Sequence, residues 1–334
     1  MDHPLVKLAQ SIDWRFLEEK FGAVYTEGPG QPPLPTRLMA GLAILKHTFN
    51  LSDEAVCERW IENPYYQYLC GEVFFCHTLA LERSSISRWR SRMGGEKLAA
   101  LLQESLSVAV KTEALKPSDL SHTIVDTTVQ PKNVTFPTDA KLVNRAREKL
   151  VKLAKKMGVV LRQSYVRVGK LALMKHQRYA HAKQFKHSKG GQFVTHVASL
   201  PGNPYDGHTL AKVIPEMEAL IGNTITRLIA DAGYRGHNAP PDYKFRIFTA
   251  KQKRRVTPQI KREMKRRSAI EPVIGHLKEE HRMGRNYLAH RHGDANNPIL
   301  AAAGYNFRRL IRWLRLLLRL FLALLFAPPE PAPA

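Results

Sequence analysis

Apolar residues recur every three or four positions through the first third of the chain, which is the spacing of one face of an α-helix. Serine and threonine stand just before several of these runs, where their side chains can cap the amino terminus of a helix. The predicted helices begin at Thr36, Ser52, Ser84 and Glu96, and Pro117 follows the last of them. Residues 1–116 are therefore predicted to form an all-helical region.

The pattern changes after residue 117, where short runs of β-branched and apolar residues predict strands. One predicted strand covers Thr123–Val129 and another covers Gln192–Leu200. A third is the apolar run that ends at Asp231, and a fourth lies in the aromatic run just before Lys251. The predicted fold class is therefore mixed α/β.

A basic helical insertion is predicted between the first two strands, at about residues 139–190. Within it, Tyr165–Lys170 is the best candidate for a further strand. The second domain is predicted to cover 117–326, and the proline-rich tail at 327–334 is expected to be disordered. The chain therefore divides into a helical region, a mixed domain with an insertion, and a tail.

The chain is strongly basic, with 52 lysines and arginines against 29 aspartates and glutamates and a formal net charge of +23. Such a field attracts a polyanion, so DNA or RNA is favoured over a membrane surface as the partner. Three cysteines, an odd number, argue against a disulfide framework and for a reducing cytosol. Met1–Phe21 is mixed and charged, so no signal peptide is expected.

Arginines interrupt the apolar sequence near the carboxyl end. The uninterrupted apolar stretch, Leu320–Ala327, is far shorter than the ~20 residues that a membrane span requires. A helix would place on one face Arg308, Arg312, Arg315 and Arg319. A helix that packs in a core or forms an oligomer is therefore favoured, and a helix lying in a membrane interface is the lesser alternative.

A predicted helix that begins at Ser84 or Ser85 and ends at Gly94 is rich in arginine and serine. Its Arg88, Arg90 and Arg92 suit a helix that lies on DNA, because arginine binds phosphate and base edges. The alternative is a basic surface helix whose tryptophan packs in the core.

Three acids stand in positions from which they could converge. Asp126 lies in a β-branched run, Asp231 ends an apolar run before a glycine-containing turn, and Glu271 lies among basic residues on a predicted helix. Hard cations such as Mg²⁺ take oxygen ligands, and paired metals catalyse in-line phosphoryl displacement. Taken singly, Asp126 is better explained as an exposed strand residue and Asp231 as a turn or capping aspartate. A shared metal site accounts for all three.

Two basic residues share a helical face with Glu271. At roughly 100° per residue, Arg267, Glu271 and Lys278 fall at roughly 0°, 40° and 20° around a helix. A solvated charged helix with an Arg267–Glu271 pair explains the first two residues but leaves the lysine a coincidence.

These stretches together resemble the DDE transposases of bacterial insertion sequences, most closely the insertion-sequence family numbered five. The D-T-T segment that begins at Asp126 resembles the first-aspartate motif of that family, and D-A-G-Y-R-G from Asp231 resembles the second. Arg267, Glu271 and Lys278 resemble its carboxyl-terminal signature. The resemblance covers most of the chain, and the combined motifs are far more specific than any one of them.

The resemblance implies an RNase H-like catalytic core that uses divalent metal to cut and join DNA at the ends of the element. It makes Asp126, Asp231 and Glu271 the catalytic, metal-binding triad, with two Mg²⁺ or Mn²⁺ ions expected in the active complex. It also implies that the all-helical amino-terminal region binds DNA.

The resemblance further implies which residues contact DNA and where the protein acts. Next to the triad these contacts are Arg267, Lys278, Tyr234 and Arg235. The expected partners are the terminal inverted repeats and the target DNA, bound by a homo-oligomer. The expected location is the bacterial cytoplasm, in association with the nucleoid.

The sequence departs from the family pattern in two places. Met264 stands where the fuller signature has a tyrosine. An RNase H-like core also needs three antiparallel strands before the strand that carries the second acid, and the middle one has no clear counterpart here. A core shortened near Phe185 and Lys186 would instead give a remnant that binds element ends as a repressor without cutting. A further alternative is a basic nucleic-acid-packaging protein in which the acids are incidental.

Overall fold

The computed structural model describes residues 3–25, 33–79, 81–128, 130, 139–159, 193–200, 204–286, 288 and 290–325 of the chain. The chain forms two compact units, one made of residues 1–132 together with 188–334 and the other of residues 133–187. The strand predicted at Tyr165–Lys170 and the tail predicted at 327–334 lie outside the described residues.

The described part of residues 1–116 is helical, as the spacing of apolar residues predicts. Ser52 caps one helix by accepting a hydrogen bond from the Ala55 amide at 3.0 Å. Gly94, at φ 67° and ψ 174°, breaks the last helix at the predicted position. The helices are α1 (Pro4–Ser11), α2 (Trp14–Gly22), α3 (Thr36–Thr48), α4 (Asp53–Glu62), α5 (Pro64–Leu69) and α6 (Arg83–Lys111).

The larger unit contains a three-stranded sheet. In the described residues its strands are β1 (His122–Val125), β2 (Arg227–Ala230) and β3 (Ile247–Thr249), in the spatial order β1-β2-β3 with every pairing parallel. The register places Val125 opposite Ala230 and Ala230 opposite Thr249. The carboxyl ends of all three strands therefore lie at one edge of the sheet.

The smaller unit contains one described helix, α7 (Asp139–Lys156). The bounds of this unit, 133–187, are close to those of the basic insertion predicted at about 139–190. The helix leaves the apolar side chains of Leu150 and Leu153 exposed, and Met157 just after it is exposed as well.

A small apolar cluster supports the sheet. Helix α8 (Leu210–Ile221) contributes Leu210, Ile214 and Met217 to this cluster. They pack with residues of the strands and of the turn that follows β2, namely Ile225, Leu228, Ala230, Tyr234 and Ile247. The next helices along the chain after β3 are α9 (Pro258–Arg266) and α10 (Ile270–Glu280).

The last helix, α11 (His290–Leu325), packs against α3 and α6 and completes the large apolar core of the amino-terminal helices. Its Gly304 lies so close to α3 that a Cβ there would come within 2.5 Å of the His47 carbonyl carbon. Trp313 Nε1 also donates a hydrogen bond to the Thr112 carbonyl at 2.8 Å. A helix predicted within the second domain thus packs with the first, which confirms its predicted core-packing role. Of the helices described, none has the length and apolarity that crossing a membrane requires.

The prediction of a strand at Gln192–Leu200 is wrong, because residues 193–200 form no strand in the structure. The Val194 amide donates to Asn306 Oδ1 at 2.9 Å, and Asn306 Nδ2 donates to the Val194 carbonyl at 2.8 Å. An amide side chain carries the same donor and acceptor as a peptide group. Asn306 on α11 therefore makes the pair of hydrogen bonds at Val194 that a neighbouring strand would otherwise make.

Candidate active site

Two of the three predicted acids follow directly after neighbouring strands. Asp126 comes after Val125, the last residue of β1, and Asp231 comes after Ala230, the last residue of β2. Since Val125 and Ala230 are register partners in a parallel pair, both acids lie at the same edge of the sheet. Each carboxylate accepts the next amide in the chain, from Thr127 at 2.9 Å and from Ala232 at 2.6 Å.

The third acid reaches the same edge from a helix. A short 3₁₀ segment, Arg267–Ala269, joins α9 to α10, and Glu271 lies in the first turn of α10. Arg267 Nη1 lies 3.5 Å from Asp126 Oδ2, and Nη2 lies 3.6 Å from Asp231 Oδ1. The same Nη2 lies 4.0 Å from Glu271 Oε1. One guanidinium therefore contacts the carboxylates of all three predicted acids.

The three carboxylates differ in exposure. The exposed fraction of the side chain is 18% for Asp126, 47% for Asp231 and 70% for Glu271. Burial raises the pKa of Asp126 above its ordinary value, and the charges of Asp231 and Glu271 add to the rise. The Thr127 amide and the charge of Arg267 oppose it. The acids thus repel one another, and Arg267 partly neutralises them.

The donor chemistry of this cluster fits a hard divalent cation, because carboxylate oxygens are the ligands that Mg²⁺ prefers. Across the described ranges, no three His, Cys, Asp or Glu side chains lie close enough together to hold a metal ion. The cation that the acids share in this arrangement is the guanidinium of Arg267. Metal binding would therefore require Arg267 to move and the carboxylates to draw closer.

The other residues predicted beside the triad take different positions. Lys278 is half-buried in the last turn of α10, and Arg235 is exposed in the turn after β2. The structure corrects the prediction that Tyr234 contacts DNA. Its side chain is fully buried in the apolar cluster under the sheet and cannot reach DNA. Its burial, followed by the charges of Asp206 and Asp126, raises the pKa of its phenol.

The three arginines predicted to contact DNA from one helix differ in exposure. Arg88 and Arg92 are exposed on α6, where Arg88 contacts Ser84 and Arg92 lies 5.3 Å from the centre of the Tyr25 ring. The structure corrects the prediction that Arg90 contacts DNA. Arg90 is 3% exposed, and its two terminal nitrogens bind the Asp53 carboxylate at 2.7 and 2.8 Å. The helix turns Arg90 toward the core, so it is not a DNA contact in this structure.

One residue of the site was not predicted from the sequence. Asp206 Oδ1 accepts a hydrogen bond from Thr127 Oγ1 at 2.9 Å, although 79 positions separate the two residues. The sequence signal is weak, since Asp206 stands in a turn-rich stretch before a helix, where aspartate is common. The spatial contact alone connects it with Asp126.

Comparisons with known proteins bear on the family. The family described as "Transposase domain (DUF772)" matches residues 1–92. The chain is 48% identical over 181 residues to "Uncharacterized protein ORF8 in nfe locus" of Rhizobium meliloti, a match that covers 54% of this chain and 87% of that protein. No solved structure matches significantly. The chain therefore belongs to the same family as the Rhizobium meliloti ORF8 protein, and the match of its first 92 residues to a transposase domain makes it transposase-related.

Proposed function

We propose that this protein is a DDE-type DNA transposase of the insertion-sequence family numbered five, with an RNase H-like core that cuts and joins DNA at element ends. The observation that carries the proposal is the convergence of Asp126, Asp231 and Glu271 on the single guanidinium of Arg267. The match of residues 1–92 to a transposase domain supports the same class.

The proposed reaction has two steps. A water molecule attacks a phosphodiester at the element end, the bond between phosphorus and the 3′ oxygen breaks, and a free 3′-hydroxyl is released. That hydroxyl then attacks a phosphodiester of the target DNA and displaces another 3′ oxygen. Because both steps displace an oxygen at phosphorus, one set of carboxylates serves both.

The triad would hold two divalent cations, Mg²⁺ or Mn²⁺, with Asp126 and Asp231 on the nucleophile side and Glu271 completing the site on the leaving-group side. A bound cation supplies an acidified water and neutralises charge on the phosphate. Arg267 has two roles in this proposal. It neutralises the acids when DNA is absent, and it can bind a phosphate oxygen when DNA is bound. We propose that the phosphate draws Arg267 away from the carboxylates.

The surface next to the acids suits a DNA backbone. Exposed basic residues precede Arg267 on α9 and on the loop before it, namely Lys251, Lys253, Arg254, Arg255, Lys261 and Arg262. Arg255 stacks on the exposed ring of Phe245, with its guanidinium carbon 4.3 Å from the ring centre. We propose that terminal repeats and target DNA lie along this surface and on Arg235 and Lys278, bound by a homo-oligomer.

The test is strand cleavage of DNA that carries the inverted repeats flanking the gene, with Mg²⁺ or Mn²⁺ present. Asp126→Asn, Asp231→Asn and Glu271→Gln should each reduce cleavage at least about 100-fold while DNA binding stays near that of the wild type. Asp242→Asn, which changes an exposed acid outside the cluster, is the matched control. Cleavage at the wild-type rate by any triad variant would remove that residue from the site.

A second candidate function is an element-end binding protein that represses without cutting. The observation that favours it is the segment 193–200, which contributes no strand beside β1. Wild-type protein that binds the inverted repeats but leaves them intact with either cation would support this function. Cleavage that depends on the triad would reject it.

A further inference from the structure

Asp206 lies beside the candidate active site without belonging to the predicted triad. It begins the 3₁₀ segment Asp206–His208, just before α8. Its Oδ1 accepts the hydrogen bond from Thr127 Oγ1 at 2.9 Å. Thr127 follows Asp126 in the chain, and its amide donates to the Asp126 carboxylate. Asp206 is therefore one hydrogen bond away from the segment that carries the first acid.

The second oxygen of the same carboxylate lies over the loop that carries Asp231. A Cβ placed on Gly233 would come within 3.0 Å of Asp206 Oδ2, a closer approach than nine in ten Cβ contacts show. Gly233 follows Asp231 by two positions, so the absence of a side chain there leaves room for the Asp206 carboxylate. One carboxylate thus contacts the Asp126 segment and lies against the Asp231 loop.

The segment around Asp206 is fixed to the residues that follow Asp231. The Asn238 amide donates to the Gly207 carbonyl at 2.9 Å, and Asn238 Nδ2 donates to the His208 carbonyl at 2.7 Å. Tyr205 Oη donates to the Arg235 carbonyl at 3.0 Å. These bonds hold the residues on both sides of Asp206 in the chain, so they fix the segment that carries its carboxylate.

We propose that Asp206 is a positioning residue, which holds the Asp126 segment against the Asp231 loop through Thr127 and so fixes the separation of the two carboxylates. The consequence for catalysis depends on the function proposed above, but the positioning itself does not. Asp206 acts through the Thr127 hydroxyl and not as a ligand of a cation. Outer-shell partners of this kind typically change metal affinity or activity about 10- to 100-fold when they are removed.

The first experiment measures position without activity. Hydrogen exchange of the full chain is compared for wild type, Asp206→Ala, Thr127→Val and the control Asp242→Asn. Amides in the peptides around 126–130 and 231–236 should exchange about five- to tenfold faster in the first two variants, as expected for one lost hydrogen bond, and at the wild-type rate in the control. Unchanged exchange in Asp206→Ala would overturn the proposal.

The second experiment measures Mn²⁺ affinity and strand cleavage in the same proteins, with conservative variants added. Asp206→Ala and Thr127→Val should each lower both about tenfold, while Asp206→Asn and Thr127→Ser, which keep an acceptor and a hydroxyl, should recover most of the loss. The double variant should be no worse than either single one, because both remove the same bond. If Asp206→Asn loses as much as Asp206→Ala, the residue acts through its charge and the proposal is wrong.

The two experiments separate this inference from the proposed function. If neither wild type nor Asp126→Asn cleaves DNA or binds Mn²⁺, the proposed function fails while the exchange measurement still decides the role of Asp206. If cleavage depends on the triad but neither Asp206→Ala nor Thr127→Val changes it, the function stands and the positioning role is wrong.

Discussion

Arg90 and Arg267 both face carboxylates, and their surroundings differ in burial and in distance. Arg90 is buried and binds Asp53 with two hydrogen bonds, at 2.7 and 2.8 Å. Arg267 is more exposed and lies 3.5 to 4.0 Å from three separate acids. A short bond inside a core fixes structure, whereas a loose shared cation at the surface can be exchanged for another. The first region therefore serves stability, and the second is suited to binding.

In the Asp53 region the carboxylate is paired with two cations, and the pairing changes the pKa values of the residues involved. Lys46 Nζ also binds Asp53, at 2.6 Å, so one carboxylate faces two buried cations. Burial lowers the pKa of Lys46 to about 8, the charge of Arg90 adds to this, and Asp53 opposes it. Burial alone would raise the pKa of Asp53, but the hydrogen bonds and charges of Arg90 and Lys46 hold it well below its ordinary value.

The largest expected effect is the loss of the Asp53 carboxylate, which is partly buried between the buried cations of Lys46 and Arg90. Asp53→Asn leaves Lys46 and Arg90 without a counter-charge and should lower the free energy of unfolding by about 3–5 kcal/mol. Chemical denaturation at neutral pH measures it. Glu58→Gln on the exposed face of the same helix is the matched control, with an expected change within about 0.5 kcal/mol. Equal free energies of unfolding for the two variants would show that the Asp53 cluster does not stabilise the fold.

Acid should weaken the helical core through His281. Burial lowers the pKa of this residue to about 4, against an ordinary value of 6.5, although a hydrogen bond with the His47 carbonyl opposes the shift. Between pH 6.5 and 4 the unfolded chain therefore binds a proton that the folded chain does not. The free energy of unfolding should fall by about 3 kcal/mol over this window from His281 alone. Denaturation of wild type and His281→Gln at several pH values measures it, and an equal fall in both would contradict this account.

The acid region should respond differently to loss of its arginine. Arg267→Gln removes a charge that opposes the rise in the Asp126 pKa, so this pKa should rise further. Stability should change little, because partly exposed ion pairs are screened by solvent. Mn²⁺ should bind several-fold to about tenfold tighter without DNA, since the competing cation is gone. Carboxyl NMR titration and Mn²⁺ titration measure the two effects, and weaker Mn²⁺ binding would show that Arg267 supports the site.

The smallest expected effect concerns α6. Replacing Arg88 and Arg92 together by alanine should leave stability nearly unchanged but reduce the slope of log affinity against log salt by up to about 1.8, since each phosphate contact contributes about 0.9. Replacing Arg90 by alanine should instead lower the free energy of unfolding, because Arg90 is bound to Asp53. An unchanged salt slope in the double variant would place this helix away from the DNA.

The sequence predicted the elements that depend on local chemistry. The Ser52 cap, the break at Gly94, the parts of the β-branched runs that became β1 and β2, and the acid after each strand all follow from nearby residues. The cap predicted at Thr36 is wrong, because Pro35 precedes α3 and no side chain caps that helix. The direction of Arg90 did not follow, because helical phase shows which residues share a face but not which face another helix covers. The segment 193–200, which forms no strand, is bonded at Val194 by Asn306, more than 100 positions away, and the contact of Asp206 with Thr127 is similarly remote in sequence.

The central claim is that Asp126, Asp231 and Glu271 form one cation site at the carboxyl edge of the sheet. Electron paramagnetic resonance of free Mn²⁺, titrated with the full chain in the presence of element-end DNA, tests it most directly. Wild-type protein should remove Mn²⁺ from solution, and each of Asp126→Asn, Asp231→Asn and Glu271→Gln should lower this affinity by at least about tenfold. Equal Mn²⁺ binding by wild type and by the variant that carries all three changes would contradict the claim.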